Sequence, residues 1–476
     1  MNKYQKLVTN TVLFALGTFG SKLLVYLLMP FYTRVLTPTD YGTSDLIVQM
    51  SNLISPIISV GITNGIIRFG LDAAYDKRQV FSTGFFTTLL GALVFVLFWP
   101  LLTGLEIDGR ALFGEHTAYI YAYVIMSTLR AVCSQFIRAM KRVRLYTIDG
   151  VLSTLTVVLF NILFLSGFKL GIHGYLLATI LSDFLSVLFL FWANDLGRFL
   201  GLRYLRRNPV VPMLRYSIPM IPNTVFWWVT NVSDRYMVAW LIDEAANGLY
   251  AASYKIPTIV TLVSGIFMDA WQISAVSEDK RSREKFFSKV FASYQAIVFL
   301  VMSGLILCAK LIMFLMVAPD YYDAWKYVPF LVLATGFSCL VTFLGSIYMV
   351  QKNSPMALFT TVVGAVANVV ANLALIPDYG PGGAAFATFL SYLVVLILRG
   401  ITTRRYIRLR WNMGKFLLCS SILLVQCWVM LWEPPFWIPV EILLCFMVLV
   451  MNLRPLLQGL FRILEKRRPK RPGRAG

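Results

Sequence analysis

Long apolar runs alternate along this chain with short polar segments. A helix needs about 20 apolar residues to cross a bilayer, since lipid leaves no outside partner for its backbone polar groups. About fourteen runs approach or exceed that length. They cover roughly 7–32, 42–68, 80–105, 116–141, 148–168, 172–196, 213–241, 247–274, 288–317, 324–350, 355–377, 383–405, 412–432 and 436–458. Turn chemistry separates them, most plainly at Thr37-Pro38-Thr39-Asp40 and at Tyr379-Gly380-Pro381-Gly382-Gly383. Barrel strands would be about 10 residues long and alternate in polarity, which these runs do not. The first run is too long for a cleaved signal and is taken as the first span. The expected fold is an all-α integral membrane protein of about 14 transmembrane helices.

Part of the pattern repeats. Asp40-Tyr41-Gly42-Thr43-Ser44 opens the second run, and Asn247-Gly248-Leu249-Tyr250-Ala251-Ala252-Ser253 opens the eighth. Ala178-Thr179-Ile180-Leu181-Ser182 in the sixth answers Ala387-Thr388-Phe389-Leu390-Ser391 in the twelfth. Both pairs are offset by 206–209 residues, the mark of a fixed-period duplication. Six helices separate each pair, and six is even, so the halves run in the same direction. The expected architecture is two parallel six-helix bundles, residues 1–205 and 206–410, around a central cavity. Residues 411–476 add two further helices and a basic tail.

Charge gives the orientation. Lys77, Arg78, Arg138, Lys141, Arg142 and Arg144 fall in alternate loops, as do Arg198, Arg203, Arg206, Arg207 and Arg215. Lys280, Arg281, Arg283, Lys285, Lys289, Lys352, Arg404, Arg405, Arg408 and Arg410 continue the series. Roughly 34 of the 43 Lys and Arg lie on one side, about 4 on the other and about 5 within spans. That asymmetry predicts a multi-pass protein with both termini cytoplasmic. The tail from Arg462 to Arg474 suits anionic lipid head groups.

Composition narrows the function. The chain is 58% hydrophobic and 14% charged, where soluble proteins average about 25% charged. Such a chain is not a soluble enzyme, an ordinary nucleic-acid binder or a disordered segment. Its net charge of +20 is topological, with no nucleic-acid partner implied. The six cysteines sit in apolar runs without a CxxC pair, and His116 and His173 lie far apart in sequence with no ligand set around either. No metal or cofactor is expected. There is no P-loop and no hydrolase motif, so neither ATP as motor nor enzymatic chemistry is expected.

Charges inside spans mark candidate sites, since each costs about 2.5–3.5 kcal/mol at mid-bilayer. Lys22, Arg130, Asp183, Asp234, Arg235, Lys255 and Asp269 qualify, with Arg68 near a cytoplasmic end. Helical spacing aligns Thr11, Ala15, Thr18, Lys22 and Tyr26 on one face of span one. It aligns Gln49, Asn52, Pro56, Ser59 and Thr63 on span two, and Asn223, Trp227, Thr230 and Asp234 on span seven. Lys255, Thr258 and Asp269 fall near one line on span eight. Such faces would line a shared cavity. A structural alternative to the cavity stays open for these charges: Asp234 and Arg235 would pair with neighbours and hold helices together, and Lys255 and Asp269 would pair with Asp183 or Arg130. The balance leans positive, which suits a phosphate or diphosphate head group. Asp183, Asp234 and Asp269 are candidates for ion coupling or pairing. Lys310 sits near an outer end and can snorkel. Pro56, Pro219, Pro222, Pro257 and Pro329 offer kinks.

Asp234-Arg235-Tyr236-Met237 with Asn247-Gly248-Leu249-Tyr250-Ala251-Ala252-Ser253-Tyr254-Lys255-Ile256-Pro257 resembles the seventh-to-eighth helix segment of polysaccharide flippases. Pro30 to Gly42 resembles their first loop, and Asp320-Tyr321-Tyr322-Asp323-Ala324-Trp325 the loop before their tenth helix. These proteins form a branch of the multidrug/oligosaccharidyl-lipid/polysaccharide exporter superfamily. The resemblance covers nearly all of residues 1–410. It implies a flippase of the bacterial cytoplasmic membrane, moving undecaprenyl-diphosphate-linked oligosaccharide by alternating access for surface polysaccharide. It implies head-group contacts at Lys22, Arg235 and Lys255, with Arg68 and Arg130 as further positions. The partners would be the lipid-linked substrate and membrane lipids, and it admits a glycan polymerase and other assembly proteins. The alternative is an organic-cation antiporter of the same superfamily, although helix one lacks the cation-binding acid frequent there. A peptidoglycan-precursor flippase or a membrane glycan polymerase fits less well.

Overall fold

The computed structural model describes residues 26, 28–72, 74–98, 106–107, 110–111, 116–205, 207–277, 283–351 and 353–467. In chain order the helices are α1 (Met29–Val35), α2 (Pro38–Ile58), α3 (Ile62–Gly70), α4 (Lys77–Leu97), α5 (Thr117–Ala139) and α6 (Val143–Asn161). Then come α7 (Gly171–Asn194), α8 (Arg207–Ser217), α9 (Met220–Leu241), α10 (Glu244–Ser253), α11 (Thr258–Ser277) and α12 (Arg283–Leu307). The last are α13 (Ala309–Met316), α14 (Val328–Val350), α15 (Ser354–Thr402), α16 (Met413–Trp432) and α17 (Trp437–Arg467). Two two-residue strands, Glu106–Ile107 and Arg110–Ala111, pair antiparallel in the loop before α5.

Among the described residues, eight helices are long and apolar enough to cross a membrane, or nine if the bent pair α2–α3 is one span. One of the eight is α15, whose 49 residues would stretch about 70 Å if straight, more than twice a bilayer core. Gly380, at φ 56°, breaks it inside the turn that the sequence predicts, so α15 supplies two spans. A further apolar stretch, Trp437–Leu453, opens α17. The helices are consistent with the expected fourteen, and the fold is an all-α multi-pass membrane protein. The first predicted span lies mostly outside the described residues, as does the basic tail beyond Arg467.

The prolines act at ends more than in middles. Pro56 precedes the 58° bend between α2 and α3, where Val60 and Gly61 both take left-handed backbone. Pro219 falls in the break before α9, and Pro257 in the break before α11. Pro222 and Pro329 instead occupy first turns, where the missing N–H costs nothing.

By packing, the chain divides into two compact units, Met1–Ala251 with Met316–Asp320, and Ala252–Leu315 with Tyr321–Gly476. The boundaries at 205/206 and 410/411 are a division by repeat, and packing places α8, α9 and most of α10 with the first unit. That unit's core gathers Ile62, Ile66, Phe81, Val132, Phe136 and Met213 from four helices. Glycine lets helices approach closely where backbone must meet backbone. A Cβ on Gly91 of α4 would lie 1.9 Å from the carbonyl of Ile58. Gly42 and Gly248, the matched glycines of the repeat, meet each other's helices across α2 and α10. Their Cβ atoms would fall 2.0 Å from the Glu244 carbonyl and 1.9 Å from the Pro38 carbonyl.

In the second unit, α14 is buried along most of its length, and Trp271 stacks on Phe343 while donating to Ser346. Arg399 is buried here, with no carboxylate paired to it among the described residues. Its guanidinium donates to Thr360 Oγ1 at 3.0 Å, Thr361 Oγ1 at 3.2 Å and the Val341 carbonyl at 2.9 Å. Each unit also anchors the hydroxyl that the repeat matched. Ser182 bonds to Ser153 and Thr156 of the preceding helix, and in the second unit Ser391 and Thr388 accept from Asn368.

Gly42→Val or Gly248→Val must force α2 and α10 apart, at a cost of about 1–3 kcal/mol or more. Gly304→Ala is the control, because nothing lies within 4 Å of its Cβ position. In detergent the first two variants are expected to unfold at lower temperature than wild type, and the control at the same temperature. Equal melting of all three would show that the crossing is not tight.

Candidate functional site

Near the end of α3, a cavity of about 370 Å³ opens between α3, α5 and α8. Thr63, Asn64 and Arg68 come from α3, Gln135 and Arg138 from α5, and Tyr216 from α8. Each arrives by helical register: Asn64 and Arg68 are one turn apart, and Gln135 and Arg138 are three residues apart, so each pair shares a face. Among the described residues Arg68 pairs with Asp72, at 3.8 Å, and its side chain is 60% exposed. Gln135 Oε1 is buried with no hydrogen-bond donor among the described residues. Two guanidiniums, amides and a phenol around a small cavity suit a compact anion with several acceptor oxygens.

A second polar region ties α2 to α9 and α10. Arg235 Nη1 lies 2.5 Å from Asp45 Oδ1, and the two side chains are 12% and 11% exposed. Tyr236 donates to the carbonyl of Leu46, Trp228 to that of Gln49, and Asn247 to that of Gly42. Asp234 is fully buried and accepts from Tyr250 at 2.7 Å. The predicted stripe on span seven therefore divides. Thr230 and Asp234 are buried, while Trp227 and Asn223 are exposed. On α2, Gln49 donates to Asp45 and Asn52 to Gln49.

The third region surrounds Arg130 on α5. Its Nη1 meets Asp183 at 2.8 Å, its Nε donates to Ser186 at 3.0 Å, and its Nη2 lies 3.8 Å from Asp149. Ser186 in turn donates to Asp149. One cation thus faces two buried carboxylates.

The polysaccharide biosynthesis protein family model matches residues 7–272, more than half of the chain. The chain belongs to that family. Comparison with curated protein sequences gives no match. Among solved structures, the fold is similar to "Lipid II flippase MurJ, inward closed conformation", at 15% identity and a TM-score of 0.70. That match covers 94% of this chain and 100% of the other. It is also similar to a multidrug resistance MATE family transporter of the MOP superfamily in its inward-facing conformation. There the identity is 14% and the TM-score 0.64, over 81% of this chain and 95% of the other. An outward-facing conformation of such a transporter matches at 13% identity and a TM-score of 0.56, over 84% and 94%. At these identities the likeness establishes the fold, and the family match assigns this chain to the polysaccharide branch.

Of the candidate residues in this family member, the structure brings Arg130 to Asp183 and gives Arg235 and Asp234 their own partners. Lys255 sits half-buried at the break between α10 and α11, and its carbonyl accepts from Thr258. Lys22 and the side chain of Asp269 lie outside the described residues. Lys310 pairs with Glu433 and stands 4.1 Å and 4.6 Å from the rings of Trp325 and Trp437. The two histidines, distant in sequence, bring their rings to 5.2 Å at the starts of α5 and α7. Among the described residues, no group of three or more potential ligands could hold a metal ion.

Sequence reasoning missed Asp45, Asp149, Gln135, Arg138, Arg399 and Glu441. Asp45 and Asp149 fall within a turn or two of span ends, where an acid passes for a solvated one. Only the partner helix shows that each is enclosed. Arg138 was counted with the cytoplasmic loop charges.

Removing one partner of an enclosed ion pair costs about 3–5 kcal/mol, because the other charge is left buried, while an apolar pair of similar volume is tolerated. Asp45→Leu is therefore expected to lower the melting temperature sharply, and Asp45→Leu combined with Arg235→Met to recover most of the loss. A double variant as unstable as the single one would show that the pair does not act as a unit.

Proposed function

We propose that this protein flips a lipid-linked, diphosphate-bearing oligosaccharide across the bacterial cytoplasmic membrane, for surface polysaccharide assembly. The reading rests on one observation. In a member of a polysaccharide biosynthesis family, Arg68 and Arg138 line one cavity of about 370 Å³ together with polar side chains. A diphosphate needs charge neutralised and many acceptor oxygens satisfied before it leaves water. Two forked guanidiniums do both. Lys22 and Lys255 serve as further head-group contacts. Arg130 and Arg235 hold helices through their acids and meet the substrate only when those pairs open.

Transport runs by alternating access, with both termini cytoplasmic. The links from α2 to α9 and α10 are then the closure on the outer side, and they part when the site faces outward. They suit a reversible closure because most of them end on backbone carbonyls, which water can satisfy when the helices separate. The sign of the site favours an anion over an organic cation. A cation exporter needs acids facing its cargo, whereas Asp45, Asp149 and Asp183 are engaged by arginines.

Complementation in a host that requires this protein for surface glycan tests the reading. Arg68→Ala with Arg138→Ala is expected to cut glycan export at least tenfold at normal protein level, and Lys22→Ala and Lys255→Ala to reduce it. Full export in every variant would remove the cationic site. Resistance to organic cations in cells lacking the glycan pathway would favour the antiporter instead. Alternating access has its own check. In a background free of native thiols, Asp45→Cys and Arg235→Cys joined by a short bifunctional thiol reagent should stop export. Export that continues across the tether would show that α2 and α9 need not separate.

A further inference from the structure

α16 and the apolar part of α17, Trp437–Leu453, carry little charge, yet a glutamate lies inside their contact. Glu441 is fully buried one turn into α17. Its Oε2 accepts from Gln426 Nε2 of α16 at 3.0 Å, and Gln426 Oε1 accepts from Ser303 of α12 at 2.7 Å. Its Oε1 has no hydrogen-bond partner among the described residues. Among the described residues, no basic side chain forms an ion pair with it. Lys310 and Glu433, at the same end of these helices, are paired with each other. The titratable neighbours on the packed helices are thiols: Cys427 beside Gln426 on α16, Cys445 one turn along α17, and Cys308 just beyond the end of α12.

We infer that Glu441 is a membrane-embedded proton-binding site, its carboxyl carried as the neutral acid with the proton on Oε1. The argument is one of counting. An ionised carboxylate has about four acceptor sites, and this one receives a single amide N–H. A buried anion so poorly solvated takes up a proton rather than remain charged. The neutral acid needs only what the site provides. Its carbonyl oxygen accepts from Gln426, and one unbonded O–H is a far smaller cost than an unpaired charge. The chain also runs in reverse: with the amide turned over, the acid O–H would donate to Gln426 and the amide to Ser303. An anion fits only one of these arrangements, and the neutral acid fits both. Protonation adds H⁺ to one oxygen and changes nothing else. The protonated link ties α16 and α17 to α12 by uncharged hydrogen bonds. This inference stands apart from the flippase reading, since neither needs the other.

Infrared difference spectra of the purified full-length protein in lipid, wild type against Glu441→Gln at neutral pH, read the protonation directly. The expected difference is the loss of one protonated-carboxyl C=O band with carboxylate bands unchanged. Loss of a carboxylate band instead would overturn the assignment. Thermal unfolding is the second measurement. Glutamine reproduces the shape and acceptor of the neutral acid, so Glu441→Gln is expected to melt with wild type while Glu441→Ala melts several degrees lower. A glutamine variant as unstable as the alanine one, or one that fails to accumulate, counts against the neutral acid.

Discussion

The first unit turns on how helix α2 is held. Its carbonyls at Gly42, Leu46 and Gln49 accept from Asn247, Tyr236 and Trp228, so α9 and α10 bond its backbone as well as the Asp45 side chain. Helical carbonyls already carry an i+4 partner, and the second lone pair makes them weak, replaceable acceptors. Only glycine at positions 42 and 248 lets the helices come near enough for this. A larger residue at either would strike main-chain oxygen at about half the normal contact distance.

Buried charge follows from that constraint. A helix that presents backbone to its neighbours has few side chains left to compensate an ion, so Asp45 and Arg235 compensate each other beside the crossing. Arg130 draws on two acids and a serine. Arg399 takes the other solution and spreads its charge over neutral oxygens. Arg68, whose nearest printed acid is the half-exposed Asp72 at 3.8 Å, instead lines a cavity. Position relative to acids, more than depth in the membrane, separates charges that hold helices from charges suited to a phosphorylated cargo.

Much of the fold was legible in the sequence because hydrophobic length and turn chemistry are local properties. Tyr379–Gly383 marks the break in α15, and Thr37-Pro38 caps α2, with no knowledge of neighbours. The matched glycines Gly42 and Gly248 stood out in the sequence, and both lie at a close helix crossing. The site was less legible. Spacing along one helix correctly put Thr230 and Asp234 together, but it could not show that the same stripe emerges into exposure at Trp227. It missed Asp45 and Asp149 because an acid near a span end looks solvated until a second helix covers it. It also grouped Arg138 with loop charges, although its register with Gln135 carries it to the cavity.

The polar groups of the terminal helices show the same limit from another side. Gln426, Glu441 and Asn452 are all fully buried in helices whose average composition is strongly apolar. In lipid, apolar side chains give helices no reason to prefer one another over the tails around them. A few inward polar groups supply that preference, and they must be uncharged to be tolerated without counter-ions. An amide, a carboxamide chain and a carboxyl that takes up a proton meet that requirement. The added pair is thus attached by hydrogen bonds whose strength depends on the absence of water, and its hold on α12 is an intrinsic property of the membrane setting.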